Sequence, residues 1–287
     1  MSIAFVKMHG LGNDFVVVDG ITQRIELSAA RIAELADRHT GIGFDQLLIV
    51  QTPDDPDADF RYRIHNADGS EAEQCGNGAR CFARFVRDRQ LTRKHRIVMQ
   101  TNTGTIVATV HGDRVDVDMG EPVFDLPRIP FEAGAAADAT PVDDTAAWRQ
   151  TLRLDDDLGD VELVPVNMGN PHAVVFVEDV ASADVAGIGA AVQRHAAFPE
   201  SVNVGFLQVV DAGFARLRVF ERGIGETRAC GSGACAAVAA AVSRGRIGSR
   251  CKVSLPGGKL RIEWQGAGHA IRMSGPADVA FEGHFEA

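Results

Sequence analysis

At 287 residues, with 45% apolar and 24% charged side chains, the chain can bury a substantial core and fits one large or two medium domains. Its formal net charge of -10 argues against nucleic acid or an anionic membrane as partner, because both reward a concentrated basic face. No apolar run approaches the ~18 to 20 residues that span a bilayer, residues 1–7 lack a signal-peptide core, and five cysteines, an odd number, favour reduced thiols over a disulfide framework. Cytoplasm is the expected location.

In chain order, residues 3–19 read as a strand, a glycine-rich turn at Gly10-Leu11-Gly12-Asn13, and a β-branched strand. Phe15 stands where a dinucleotide fingerprint needs its third glycine, so this turn is not a phosphate loop. Ser28 is placed to cap a helix running to about His39, with Ile32, Leu35 and Ala36 on one face. Gly41-Ile42-Gly43-Phe44-Asp45-Gln46 leads into a strand at residues 47–50, and residues 52–59 form a proline- and aspartate-rich loop. An alternating strand at residues 60–64 ends in the polar turn His65-Asn66-Ala67-Asp68-Gly69-Ser70. Next comes Cys75-Gly76-Asn77-Gly78-Ala79-Arg80-Cys81, read as a thiol, a Gly-x-Gly turn and a helix over residues 79–91. Strands are predicted at residues 97–101, 105–111 and 114–119. Residues 120–145 carry four prolines and little periodicity, which puts a domain boundary near Gly120.

The second half then replays the first. Gly12-Asn13 corresponds to Gly169-Asn170, Gln46 to Asn203, Cys75 to Cys230 and Gly104 to Gly258, each pair separated by 154 to 157 residues. Around the second thiol, Cys230-Gly231-Ser232-Gly233-Ala234-Cys235 opens a helical run apolar on every face, which must be enclosed on all sides. The expectation is an α+β (α/β mixed) chain of two pseudo-symmetric domains. Each is a curved, antiparallel-rich sheet or barrel wrapped around a central helix whose N-terminus faces a cleft between domains. The boundaries are 1–120, 121–275 and a tail, 276–287, packing back on the N-terminal domain.

Each thiol is thereby placed at a helix N-terminus, where unpaired N–H groups favour a thiolate and can hold a carboxylate. A thiolate and a thiol on opposite sides of one carbon can remove and deliver a proton, inverting the centre without a covalent intermediate. The helix terminus is expected to lower the thiol toward ~7, and the pair to titrate together. Cys81, Cys235 and Cys251 read as small core residues. Two other uses of the cysteines remain open: a four-cysteine zinc site, against which Cys-x5-Cys and Cys-x4-Cys are wider than the usual Cys-x2-Cys knuckle, and a dithiol redox pair. Only four lysines occur, none in a Schiff-base context, so no cofactor is expected.

Lys7-Met8-His9-Gly10-Leu11-Gly12-Asn13-Asp14-Phe15, Gly169-Asn170-Pro171-His172, Asn203-Val204-Gly205-Phe206 and the segment from Glu221-Arg222-Gly223 through Cys230-Gly231-Ser232-Gly233 resemble the diaminopimelate epimerases. The resemblance covers nearly the whole chain. It implies two similar domains, each with a helix inside a curved sheet, and a cofactor-free, metal-free interconversion of LL- and meso-2,6-diaminopimelate serving lysine and peptidoglycan synthesis. Carried over by position, it makes Cys75 and Cys230 the acid/base pair. It gives Gly76, Asn77, Gly231 and Ser232 to the reacting α-carboxylate, and Asn13, Gln46, Asn66, Asn170, Asn203, Glu221 and Arg222 to the rest of the substrate. His172 and Glu221 would bias the thiols. A homodimer is implied by the resemblance alone. Proline racemases and hydroxyproline epimerases, with two cysteines on the same fold, are the runner-up, although their Cys-Gly-His differs from Cys75-Gly76-Asn77.

Overall fold

The computed structural model describes residues 2–72, 75–136, 138–141, 148–154 and 158–286. Glu73, Gln74 and parts of the proline-containing stretch read as a boundary lie outside them. By contacts the chain divides into two compact units, Met1–Asp118 with Ser274–Ala287, and Met119–Met273.

In the first unit, β1 (Ser2–Gly10) and β2 (Asn13–Asp19) form a hairpin. Its two turn residues, Leu11 at φ 60 and Gly12 at φ 87, are both left-handed, the conformation whose twist matches paired strands. Helix α1 (Ala29–Ala36) carries the chain across to β3 (Gln46–Gln51), which runs parallel to β2. Ser28 caps α1 by accepting the Arg31 N–H at 3.2 Å, and Ile32, Leu35 and Ala36 are its buried face. The helix stops short of His39 because the Asp37 carboxylate takes the His39 and Thr40 N–H groups at 2.8 and 2.7 Å, offering the backbone a local alternative. Strand β4 (Phe60–Asn66) is antiparallel to β3 and is followed by a short β5 (Glu71–Ala72) and helix α2 (Gly76–Asp88). Then β6 (Arg96–Gln100) joins β4 in parallel, and β7 (Thr105–His111) and β8 (Arg114–Asp118) add antiparallel pairs. The C-terminal strand Asp278–Glu286 pairs antiparallel with β1. Because α2 touches β1, β2 and β3 as well as β7 and β8, this sheet curls around it.

The second unit contains β9 (Asp138–Pro141), β10 (Trp148–Arg153), β11 (Asp160–Asn167), β12 (Pro171–Phe176), α3 (Val185–Arg194), β13 (Asn203–Asp211), β14 (Phe214–Glu221), β15 (Gly225–Thr227), α4 (Gly231–Ser243), β16 (Arg250–Leu255) and β17 (Gly258–Glu263). Its pairings repeat those of the first. Phe15 sits opposite Gln46 in the parallel β2–β3 pair, and His172 opposite Asn203 in the parallel β12–β13 pair. The β4–β6 and β14–β16 pairs are both parallel, and Gly104 and Gly258 share a φ of 147 and 146. Helix α4, packed by β11, β12, β13, β14 and β17, is buried at every residue but Ser232 and Val242. Each unit is therefore a mostly antiparallel mixed sheet around one helix, an α+β architecture.

One expectation is corrected. The Gly-x-Gly segments are not turns ahead of the helices but their first turns, so α2 and α4 begin at once after the cysteines. Space explains the glycines: a Cβ on Gly78 would lie 2.2 Å from the Tyr62 hydroxyl oxygen, and one on Gly233 3.2 Å from the Cys230 sulfur. Among the described residues no helix is long and apolar enough to cross a membrane.

Candidate active site

Cys75 and Cys230 are the N-cap residues of the two central helices, both with extended backbone (φ -148, ψ 111 and φ -121, ψ 111). Such a position puts the side chain beside the first-turn N–H groups, for which the helix itself supplies no acceptor. Gly76 and Asn77, and Gly231 and Ser232, are the residues whose backbone N–H groups occupy those first turns.

In the first unit the Cys75 sulfur accepts the Gly78 N–H at 3.4 Å and its S–H faces Asn13 Oδ1 at 3.9 Å. Asn77 Nδ2 donates to the same Asn13 oxygen at 3.2 Å, while Asn77 Oδ1 accepts from Arg80 at 3.0 Å. Asn77 is 4% exposed, its side chain held by Asn13 and Arg80. Asn13 Nδ2 donates to Asp45 at 2.8 Å. Gln46, at the start of β3, donates to Asn66 Oδ1 at 3.0 Å, and Asn66 donates to Ser70 at 3.1 Å. The Gln46 side-chain oxygen is buried without a hydrogen-bond partner. Thus Asn13, Asn77 and Cys75 are brought into direct contact, and Gln46 with Asn66 into a second pair.

Beneath Asn13 lies an ionic cluster. Arg38 makes two bonds to Asp14, 3.0 and 2.7 Å, and one to Asp45 at 2.7 Å; the buried Lys7 ammonium reaches Asp14 at 2.6 Å and also the Gly43 carbonyl. Burial alone would raise the Asp14 carboxyl, but the Arg38 and Lys7 bonds outweigh it and hold the group well below its usual range.

In the second unit Cys230 is 5% exposed, with Ser232 Oγ at 3.7 Å. Here the expectation of a lowered thiol fails: burial, followed by the charge of Glu221, pushes Cys230 well above its usual value, against the weaker pull of the Gly233 N–H and Ser232. Helix-terminus polarity is present but loses to desolvation and a carboxylate partner. Glu221, at the end of β14, accepts the Thr227 hydroxyl. Glu221 therefore biases its thiol, toward the protonated form.

His172 is wholly buried. Its ring Nε2 meets Asn170 Oδ1 at 2.9 Å, its Nδ1 is buried with no hydrogen-bond partner, and burial reinforced by the Arg222 charge depresses it to about 3. It is a neutral ring at physiological pH, and what it directly orients is the Asn170 amide. Asn203 is also committed within the protein, donating to the Pro171 carbonyl and accepting the Arg222 N–H, both at 3.0 Å. Arg222 is exposed, with one guanidinium N–H on the Glu200 carbonyl at 3.0 Å.

Four contributors escaped sequence reasoning: Tyr62, whose hydroxyl donates to the Cys75 carbonyl at 3.2 Å; fully buried Arg80; Asp45; and Thr227. Asp45 and Arg80 left a signal, lying one and three residues from Gln46 and Asn77 respectively, and Thr227 lies within the segment from Glu221 to Gly233. Among the described residues no group of three His, Cys, Asp or Glu side chains is gathered as for a metal, and Cys81, Cys235 and Cys251 are buried core thiols.

The family described as diaminopimelate epimerase matches residues 5–124 and 164–280. The chain belongs to the diaminopimelate epimerase family. Diaminopimelate epimerases of Pseudomonas savastanoi pv. phaseolicola and Azoarcus sp. are 52% and 53% identical to it, covering 99% and 100% of this chain and 99% of each relative. Among solved structures, a hydroxyproline epimerase from Agrobacterium vitis superposes with a TM-score of 0.69 at 15% identity, over 99% of this chain and 92% of that one. A phenazine biosynthesis protein of Bacillus anthracis gives 0.68 at 15% identity over the full length of both. At such identity these two likenesses concern the fold. The runner-up drawn from hydroxyproline epimerases thus shares the architecture, while sequence identity lies with the diaminopimelate epimerases.

Proposed function

We propose that this chain is a diaminopimelate epimerase that interconverts LL- and meso-2,6-diaminopimelate, in lysine and peptidoglycan synthesis, using Cys75 and Cys230 as acid and base. The observation that carries this is the pair of thiols at the N-caps of the two central helices of a duplicated half, in a chain about half identical to named diaminopimelate epimerases. One sulfur takes the α-proton as thiolate and the other returns a proton to the opposite face as thiol, so no bond to the substrate is made. First-turn N–H groups of Gly76, Asn77, Gly231 and Ser232 hold the α-carboxylate, whose charge grows as the α-carbon loses its proton. Arg222 suits bidentate contact with the distal carboxylate, and Asn13, Gln46, Asn66, Asn170, Asn203 and Glu221 complete the substrate shell, Asn203 by holding the Arg222 backbone. Neither cofactor nor metal has a part in this scheme. The enzyme works in the cytoplasm as a homodimer, and the chain passes from its first domain to its second near residue 120.

Proton NMR of LL-diaminopimelate in D2O tests the scheme. Loss of the α-proton signal with appearance of the meso form is expected from the parent. Exchange should vanish in Cys75→Ala and Cys230→Ala and fall by orders of magnitude in the serine variants, because a hydroxyl is a far poorer acid/base near neutrality. An alanine variant that still epimerises overturns the mechanism, and exchange on proline instead of diaminopimelate overturns the substrate.

A further inference from the structure

Two donors and acceptors with no freedom of role bracket the amides beside Cys75. Arg80, wholly buried, can only donate, and it donates to Asn77 Oδ1 at 3.0 Å. Asp45, as a carboxylate, can only accept, and it accepts Asn13 Nδ2 at 2.8 Å. Asn77 must therefore offer its nitrogen to Asn13, at 3.2 Å, and Asn13 must turn its oxygen inward, where it also lies 3.9 Å from the Cys75 sulfur. An amide free to flip could present either atom; this one cannot. We propose that Arg80 and Asp45 are positioning residues that set the direction of a two-amide relay and hold the oxygen of Asn13, not its nitrogen, against Cys75.

An oxygen at the sulfur stabilises S–H and opposes the thiolate. The Gly78 N–H pulls the other way, at 3.4 Å. Of the titratable groups around Cys75, Tyr62 of β4 and Cys81 of α2 are held neutral by burial, and Arg80 of α2 and Asp45 before β3 are charged. Asp45 in turn bears Arg38, with Asp14 and Lys7 behind it.

The functional meaning rests on Cys75 being an acid/base residue, but the geometry can be tested apart from it, by the pH dependence of Cys75 alkylation with iodoacetamide, located by mass spectrometry in the full-length protein. In Asp45→Ala the Asn13 amide is released, and alkylation at pH 7 should rise about tenfold, the effect of one pKa unit. The acid limb of kcat/KM for diaminopimelate should move down by about the same unit. Asp45→Asn keeps an acceptor for Asn13 and should stay within about threefold of the parent. Asn13→Ala, read by alkylation alone, decides the sign should Asp45→Ala fail to fold: removing an oxygen speeds alkylation, whereas removing an N–H slows it. Parent-like alkylation in Asp45→Ala, an Asp45→Asn as fast as Asp45→Ala, or slowed alkylation in Asn13→Ala overturns the inference. An active Cys75→Ala would instead overturn the two-thiol mechanism and leave the relay standing.

Discussion

Glycine 78 shows how closely the residue scale is set around the thiol. The Tyr62 hydroxyl that supports the Cys75 carbonyl occupies the space a side chain at position 78 would need, only 2.2 Å from the missing Cβ, and Tyr62 is itself 2% exposed. Gly78→Ala is expected to cost about 1 to 3 kcal/mol through this overpacking, seen as a lowered urea midpoint. Adding Tyr62→Phe, which removes the offending oxygen, should restore part of the loss; a double variant less stable than either single would contradict this origin. Arg222 makes a contrasting case. Its guanidinium is exposed and bonded only to a carbonyl in the described contacts, so Arg222→Ala should leave the fold intact and raise KM for diaminopimelate at least tenfold, with a smaller change in kcat. An unchanged KM would remove Arg222 from the distal carboxylate.

At the scale of elements, α4 and α2 do the same positional job with different compositions. Helix α4 is buried on nearly every side and built largely of alanine, because strands surround it too closely for larger side chains. Ala237→Leu, at a fully buried position, should cost about 1 to 3 kcal/mol by calorimetry, and a neutral result would mean the enclosure is looser than close packing implies. Helix α2 instead buries Phe82, Phe85 and Val86 along with Arg80, and leaves Arg84 and Arg87 bonded at its outer face, to Asp88 and the Arg93 carbonyl. The periodicity of each run was legible in the sequence. Their starts were not, since Gly-x-Gly reads as a turn until the neighbours that exclude a Cβ are known.

For the whole molecule, buried titratable groups define a pH window of stability. His172 is depressed from 6.5 to about 3, so the unfolded chain takes up a proton that the folded one refuses. Its contribution is complete above pH 6.5 and is lost, by about 1.4 kcal/mol per pH unit, as pH falls toward 3. Asp14, lowered by its Arg38 and Lys7 partners, adds to the loss below its usual 3.8. Cys81 and Cys251, raised from 9.0 to about 12 and 11 by burial, contribute stability that is complete below pH 9 and lost as pH climbs through that range. Urea midpoints should therefore be flat between about pH 6.5 and 9 and fall on both sides. His172→Gln should flatten the fall between pH 6.5 and 4, and an acid limb as steep as the parent's would show that His172 is not its source.

By itself, the amino-acid order determined the duplicated plan and the pair of thiols at matching places in it, because repeats, glycine spacing and all-round apolar runs are local patterns that survive in one dimension. The matching registers of Phe15 with Gln46 and of His172 with Asn203 express that repeat in space. What the tertiary structure alone decided is the state of the groups around those thiols. Burial and Glu221 pushed Cys230 upward where a lowered thiol was expected, desolvation and Arg222 left His172 neutral, and Asp45 set the direction of the Asn13 amide from 32 residues away. Desolvation, charge proximity and hydrogen-bond direction depend on distances between residues far apart along the chain, and only folding sets those distances.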